Sequence, residues 1–167
     1  IYNIKITRIS IMTDRKSNDG ENEIAYVSFD RARVDVVRNY GFSIDNIDIE
    51  TVEGYNTTDV RESYEDFLSE HDPIAVIFDT DVERHILYKE EFENNSYELT
   101  QKESPGTFFV YNSWYEDGKI PEEIKDADLI YKGIPDPEFL TDLFERARPK
   151  SDKGQKKGTT NNSGGLE

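Results

Sequence analysis

Two aspartates spaced one residue apart, Asp79 and Asp81, directly follow the apolar run 74–78. That run is apolar throughout rather than alternating, as a central strand covered on both faces would be. Asp79-Thr80-Asp81 is thereby placed at the C-terminal end of a buried strand, where α/β sheets present their ligand crevices. Two carboxylates there could hold Mg²⁺ with its waters, and such a cation stabilises charge on the attacking and leaving oxygens of phosphoryl transfer or phosphodiester cleavage. The same residues also suit a structural role, because an acidic residue after a strand caps the next helix and Asp81 precedes Val82 in that position. A second acidic string, Asp48-Ile49-Glu50, continues to Glu53-Gly54. On a strand, Asp48 and Glu50 share one face and could ligate one metal together, although in a chain with 36 acidic residues such pairs also arise by chance. The candidate site is therefore Asp79 and Asp81 as catalytic carboxylates, with Asp79, Asp81, Asp48 and Glu50 as metal ligands. Mg²⁺ is the expected cofactor if the chain is an enzyme, and none otherwise.

Other chemistry has less to stand on. Nucleophilic catalysis would need a histidine beside a serine, and the two histidines, His71 and His85, fall at a helix end and on a charged helix face. The glycines are scattered, with no phosphate-cradling loop. Without cysteine there is neither a disulfide framework nor a thiolate metal site. Trp114 and Tyr115, with Phe109 and Tyr111 nearby, form an aromatic segment that suits core packing, or a protein interface if exposed.

The elements that must position these residues follow from periodicity. Val60, Tyr64, Phe67 and Leu68 recur at helical spacing behind Asn56, so a helix is expected over 58–70, ended by His71-Asp72-Pro73. A second helix is expected over 82–92, short strands at 107–111 and 128–131, and a closing helix behind Asp136-Pro137, where Leu140, Leu143, Phe144 and Ala147 recur. The two short strands are linked by a turn at Asp117-Gly118 and a helical turn after Pro121. At the N-terminus, the β-prone isoleucines 4, 6, 9 and 11, a polar loop over 14–23 and the run 24–29 read as a long hairpin. Residues 31–40 suit a helix or a strand, since their valines weaken helix propensity, with helix the favoured reading, and 44–52 are expected as a third strand. The expectation is an α/β fold, a mixed β-sheet with an N-terminal hairpin and a buried central strand flanked by helices. Residues 1–148 form a single acidic domain, and 149–167, rich in Gly, Ser, Thr, Asn and Lys, a disordered tail.

The string Tyr64-Glu65-Asp66-Phe67-Leu68-Ser69-Glu70-His71-Asp72-Pro73, the strand 74–78 and Asp79-Thr80-Asp81 together resemble the second exonuclease segment of family B DNA polymerases. The preceding hairpin resembles the early strands of their ribonuclease H-like 3'-5' exonuclease domain. The resemblance covers about residues 4–90 and implies a place in DNA replication. It departs where the chemistry would lie: Asp79 stands where the family has Asn, Glu83-Arg84 where it has Phe-Asp, and Asp48-Ile49-Glu50 comes too late to be the first Asp-x-Glu. A relative with these changes is implied to be catalytically inactive.

Charge narrows the partners. The formal net charge is -16, and the segment 149–167 is mildly basic, so the acidity resides in residues 1–148. Such a surface repels phosphate backbones and anionic membranes at long range. Adaptation to a salty interior, a binding face for a basic partner and plain solvated surface each account for it. No stretch is long and apolar enough to span a bilayer, and a cytoplasmic protein is expected. Two function classes result: a non-catalytic acidic interaction domain with a protein partner, related to the replication exonucleases, or a Mg²⁺-dependent nuclease or phosphotransferase using Asp79 and Asp81.

Overall fold

Strand β1 (Glu23–Val27) opens the part of the chain that the computed structural model describes, residues 22–89, 92–113 and 126–148. It is followed by α1 (Arg31–Gly41), β2 (Asp48–Val52), α2 (Thr57–Glu70), β3 (Ala75–Asp79), α3 (Thr80–Lys89), α4 (Ser96–Glu103), β4 (Phe108–Ser113), β5 (Leu129–Lys132) and α5 (Pro137–Ala147). The strands form one sheet in the order β2-β1-β3-β4-β5, and each neighbouring pair is parallel. Parallel neighbours cannot be joined by tight turns, so the helices cross over and cover both faces. The result is an α/β fold with a five-stranded parallel sheet flanked by helices.

The alternation of side chains along the strands divides the core in two. Ala25, Val27, Val76, Phe78, Phe109 and Tyr111 point to the face carrying Val60, Tyr64 and Leu68 of α2, Val82 and Ile86 of α3 and Leu99 of α4. Ile24, Tyr26, Ala75, Ile77 and Val110 point to the other, against Val34 and Val37 of α1 and Leu140, Leu143 and Phe144 of α5. β3 is buried at all five positions, which explains its unbroken apolar run from Ala75 to Phe78.

Two expectations are corrected. The mixed sheet with an N-terminal hairpin gives way to a sheet parallel throughout the described strands: β1 pairs with β2 on one edge and β3 on the other, so neither edge is open to an antiparallel partner. The isoleucine-rich segment 4–11 lies outside the described residues, as do Asp117-Gly118, the turn after Pro121, Trp114-Tyr115 and residues 149–167. The helix expected over 82–92 spans Thr80–Lys89, and α4 is an additional helix. Its start is a capping box, in which Asn95 accepts from the Glu98 amide while the Glu98 side chain accepts from the Asn95 amide. No helix among the described residues is long and apolar enough to cross a membrane.

Gly54 seats the start of α2 against the end of β2. A Cβ there would lie 2.7 Å from the Val60 nitrogen and 2.9 Å from the Asp59 carbonyl carbon, both backbone atoms that cannot rotate away. Gly54→Ala is expected to cost about 1–3 kcal/mol by overpacking, read as a lower urea midpoint at unchanged slope.

Candidate functional site

Three strands end in a polar residue on the same face of the sheet: Ser28 just beyond β1, Asp79 at the end of β3 and Asn112 near the end of β4. Asp79 pairs in register with Asn112, and Ser28 follows Val27, which pairs with Phe78. All three are buried, and Asp79 is 1% exposed. Asp79 is thus surrounded at the β1–β3 junction, where the chain winds outward in both directions from the sheet's centre and where doubly wound sheets bind ligands.

Both carboxylate oxygens of Asp79 are occupied. Ser28 Oγ donates to Oδ2 at 2.5 Å and Asn112 Nδ2 donates to Oδ1 at 2.9 Å. The Tyr26 hydroxyl lies 3.4 Å from each oxygen, and its own proton is held more tightly than usual by burial and by the neighbouring Asp79 charge. Arg33 brings a fixed positive charge, its Nη1 lying 3.5 Å from Asp79 Oδ2 and 3.4 Å from Asp81 Oδ2, and its Nε 3.1 Å from Asp30 Oδ2. The placement of Arg33 is local in origin. Asp30 caps α1 by accepting from the Ala32 and Arg33 amides, and the Asp30 amide in turn donates to Ser28 Oγ. The first turn of α1 is thereby tied to Ser28, so that Arg33 reaches across to the start of α3. Thr80, opening α3, donates to the Asn112 carbonyl at 3.2 Å.

Asp79 and Asp81 therefore share Arg33, whereas Asp48 and Glu50 stand elsewhere. Both lie exposed on the edge strand β2, with Asp48 in register with Glu23 at the N-terminal end of β1. Since the strands are parallel, Asp48 lies about five residues, on the order of 16 Å, along the sheet from the level of Asp79. No group of three or more His, Asp or Glu side chains able to hold a metal ion occurs among the described residues. His71 Nδ1 lies 3.1 Å from Glu23 Oε2 and stacks on Phe67, and His85 meets Phe29 edge to face; neither stands beside a nucleophilic serine in the described hydrogen bonds. Burial raises the Glu23 carboxyl above its usual range, against the opposing pull of His71.

Sequence reasoning missed Ser28, Asn112, Arg33 and Tyr26. A signal was present for two of them, since Ser28 and Asn112, like Asp79, are polar residues closing apolar strand runs; Arg33 and Tyr26 carry no such mark.

No family model matches the chain, and no curated protein matches it. Solved structures similar in fold include a response regulator receiver domain protein from Clostridium thermocellum, at 12% identity and a TM-score of 0.49, covering 75% of this chain and 92% of that one. Another is a response regulator receiver domain (CheY-like) from Methylobacillus flagellatus, at 13% identity and a TM-score of 0.49, covering 75% of this chain and 98% of that one. The resemblance to the ribonuclease H-like exonuclease domain of family B DNA polymerases is corrected by the sheet, whose described strands pair in parallel throughout with no antiparallel hairpin at β1. With it go the replication-associated interaction domain, which rested on that resemblance and on bulk charge, and the Mg²⁺-dependent nuclease or phosphotransferase alternative, which rested on acidic strings that the fold keeps apart.

Proposed function

We propose that the chain is a signalling domain of the receiver type, which holds its state at Asp79 and passes it to a protein partner at the C-terminal edge of the sheet. The observation that carries this reading is one buried carboxylate bonded at once to β1 through Ser28, to β4 through Asn112 and to α1 through Arg33. A change of charge or of hydrogen bonding at Asp79 is felt by three segments together, which is the mechanical requirement of a switch. Turnover is less well served, because a carboxylate 1% exposed and bonded at both oxygens is not presented to a substrate. Arg33 supplies between Asp79 and Asp81 the positive charge that a cation would otherwise bring. The same edge offers apolar surface, with Phe29 after β1, Tyr55 after β2 and Ile134 after β5 all exposed, Tyr55 to 90%. Aromatic side chains of this kind anchor protein interfaces.

Asp79→Asn tests the switch, since it keeps the shape of the side chain while removing its charge. Hydrogen exchange on the full chain should rise about tenfold, roughly 1.4 kcal/mol, at residues 28–34 and 112–113, with α5 unchanged. Changes confined to residues 78–81, or spread evenly over the molecule, would overturn the reading.

A further inference from the structure

A second buried carboxyl lies on the opposite face of the sheet. Glu83 of α3 is 0% exposed and Arg61 of α2, whose charge acts on it, is 1% exposed. Glu83 Oε1 accepts from the backbone amide of Ser96, the first residue of α4, at 3.0 Å, while Oε2 has no hydrogen-bond partner among the described residues. The Tyr111 hydroxyl of β4 is buried on the same face. Arg61 is committed elsewhere: Nη1 donates to Ser96 Oγ at 3.1 Å, Nε donates to Glu65 Oε1 at 3.0 Å, and the guanidinium lies over the Phe92 ring at 5.0 Å. Farther along α4, the Tyr64 hydroxyl meets Thr100 Oγ1, which donates to the Ser96 carbonyl. Short helix α4 thus rests on a polar floor, with Leu99 its one buried large apolar side chain.

An ionised carboxylate suits this position poorly. The ionised form would bury a full charge with one oxygen lacking a donor, which costs several kcal/mol, whereas the neutral acid buries no charge. The groups facing Glu83 are Arg61 and Tyr64 from α2, Tyr111 from β4, and Ser96 and Glu98 from α4. Arg61 favours the ionised form, Glu98 opposes it, and the neutral hydroxyls carry no charge to balance it.

We propose that α4 is a proton-gated flap, closed on α2 and α3 while Glu83 is neutral and loosened when Glu83 ionises and draws Arg61 away from Ser96 and Glu65. Loosening would widen the cavity of about 290 Å³ between α2 and α4, whose wall includes Arg61, Glu65, Phe92 and Leu99. Burial outweighs the Ser96 hydrogen bonds and Arg61 in setting the proton affinity, so the carboxyl titrates above its ordinary value of 4.5. The sign follows from linkage: stability contributed by the neutral acid is complete below the unfolded-state value and falls as pH rises toward the higher folded-state value.

Hydrogen exchange of the full chain between pH 5 and 8.5, corrected for intrinsic rates, tests the flap. Amides of residues 96–104 should lose protection at least tenfold as pH rises while those of α5 hold theirs, and Glu83→Gln should keep α4 protected throughout. Protection of α4 that is flat with pH or rises with it in the wild type overturns the proposal, because a buried Glu83–Arg61 ion pair behaves so. Should Glu83→Gln fail to fold, ¹³C-carboxyl NMR of the wild type decides: titration of Glu83 above 4.5 in step with α4 exposure supports the flap, and titration at or below 4.5 sinks it.

Discussion

Phe78→Ala is expected to lower the stability of the chain by about 3–5 kcal/mol, the cost of emptying a large core site that cannot collapse. Phe78 is 0% exposed on the strand that is buried throughout, and its ring lies 5.2 Å from that of Tyr64, 6.1 Å from Phe109 and 6.4 Å from Tyr111. Two of those partners are on β4 and one is on α2, so the cavity would be lined by elements fixed independently by the sheet and the crossover. Relaxation into the space is correspondingly limited. Urea denaturation should show the midpoint falling with the slope unchanged; a loss below about 1 kcal/mol would mean that this face of the core is loosely packed.

The second large effect is expected at Asp79→Ala, and it comes from the groups left behind. Ser28 Oγ and Asn112 Nδ2 would lose their acceptor in a buried setting, at about 1–3 kcal/mol for each orphaned donor, and Arg33 would lose one of its three aspartates. Asn112 has no spare bond to fall back on, since its Oδ1 is already without a partner among the described residues. A double-mutant cycle with Asn112→Ala separates the direct bond from general disruption. Coupling of about 1 kcal/mol or more assigns the loss to the hydrogen bond, whereas additive effects would show Asp79 to be held mainly by Ser28 and Arg33.

Much of the local structure was legible. The α2 and α5 boundaries followed from apolar spacing and from caps at Asn56 and Asp136, both of which accept backbone amides in the fold. Helix α1 was only half legible, because its valines suit a strand as well as a helix; in the fold Val34 and Val37 pack one face of the helix against the sheet. Helix α4 escaped notice because its eight residues carry little amphipathic pattern, and only Asn95 and Glu98 mark its start. The third strand was expected from residue 44, but Ile44 and Ile47 pack against the core from the connection before β2, whose strand begins at Asp48.

Strand direction was the larger error, and it carried the functional reading with it. A run such as Ile24–Val27 has the same composition whether its neighbour runs parallel or antiparallel. Hydrogen bonding to β2 and β3 decided the matter, and with it the difference between a hairpin-led sheet and a doubly wound one. The acidic strings suffered from the same blindness to distance.

By itself the sequence determined that β3 is buried, that Asp79 closes it, where the longer helices begin and end, and that the chain as a whole is strongly acidic. These are properties of neighbouring residues and of composition, written in periodicity, caps and charge. Only the tertiary structure decided that Ser28, Asn112 and Arg33 surround Asp79, that Asp48 and Glu50 lie far along the sheet from it, and that Glu83 is sealed beneath α4. Each of those facts joins residues separated by tens of positions, and strand order and register, rather than any local preference, set the distances between them.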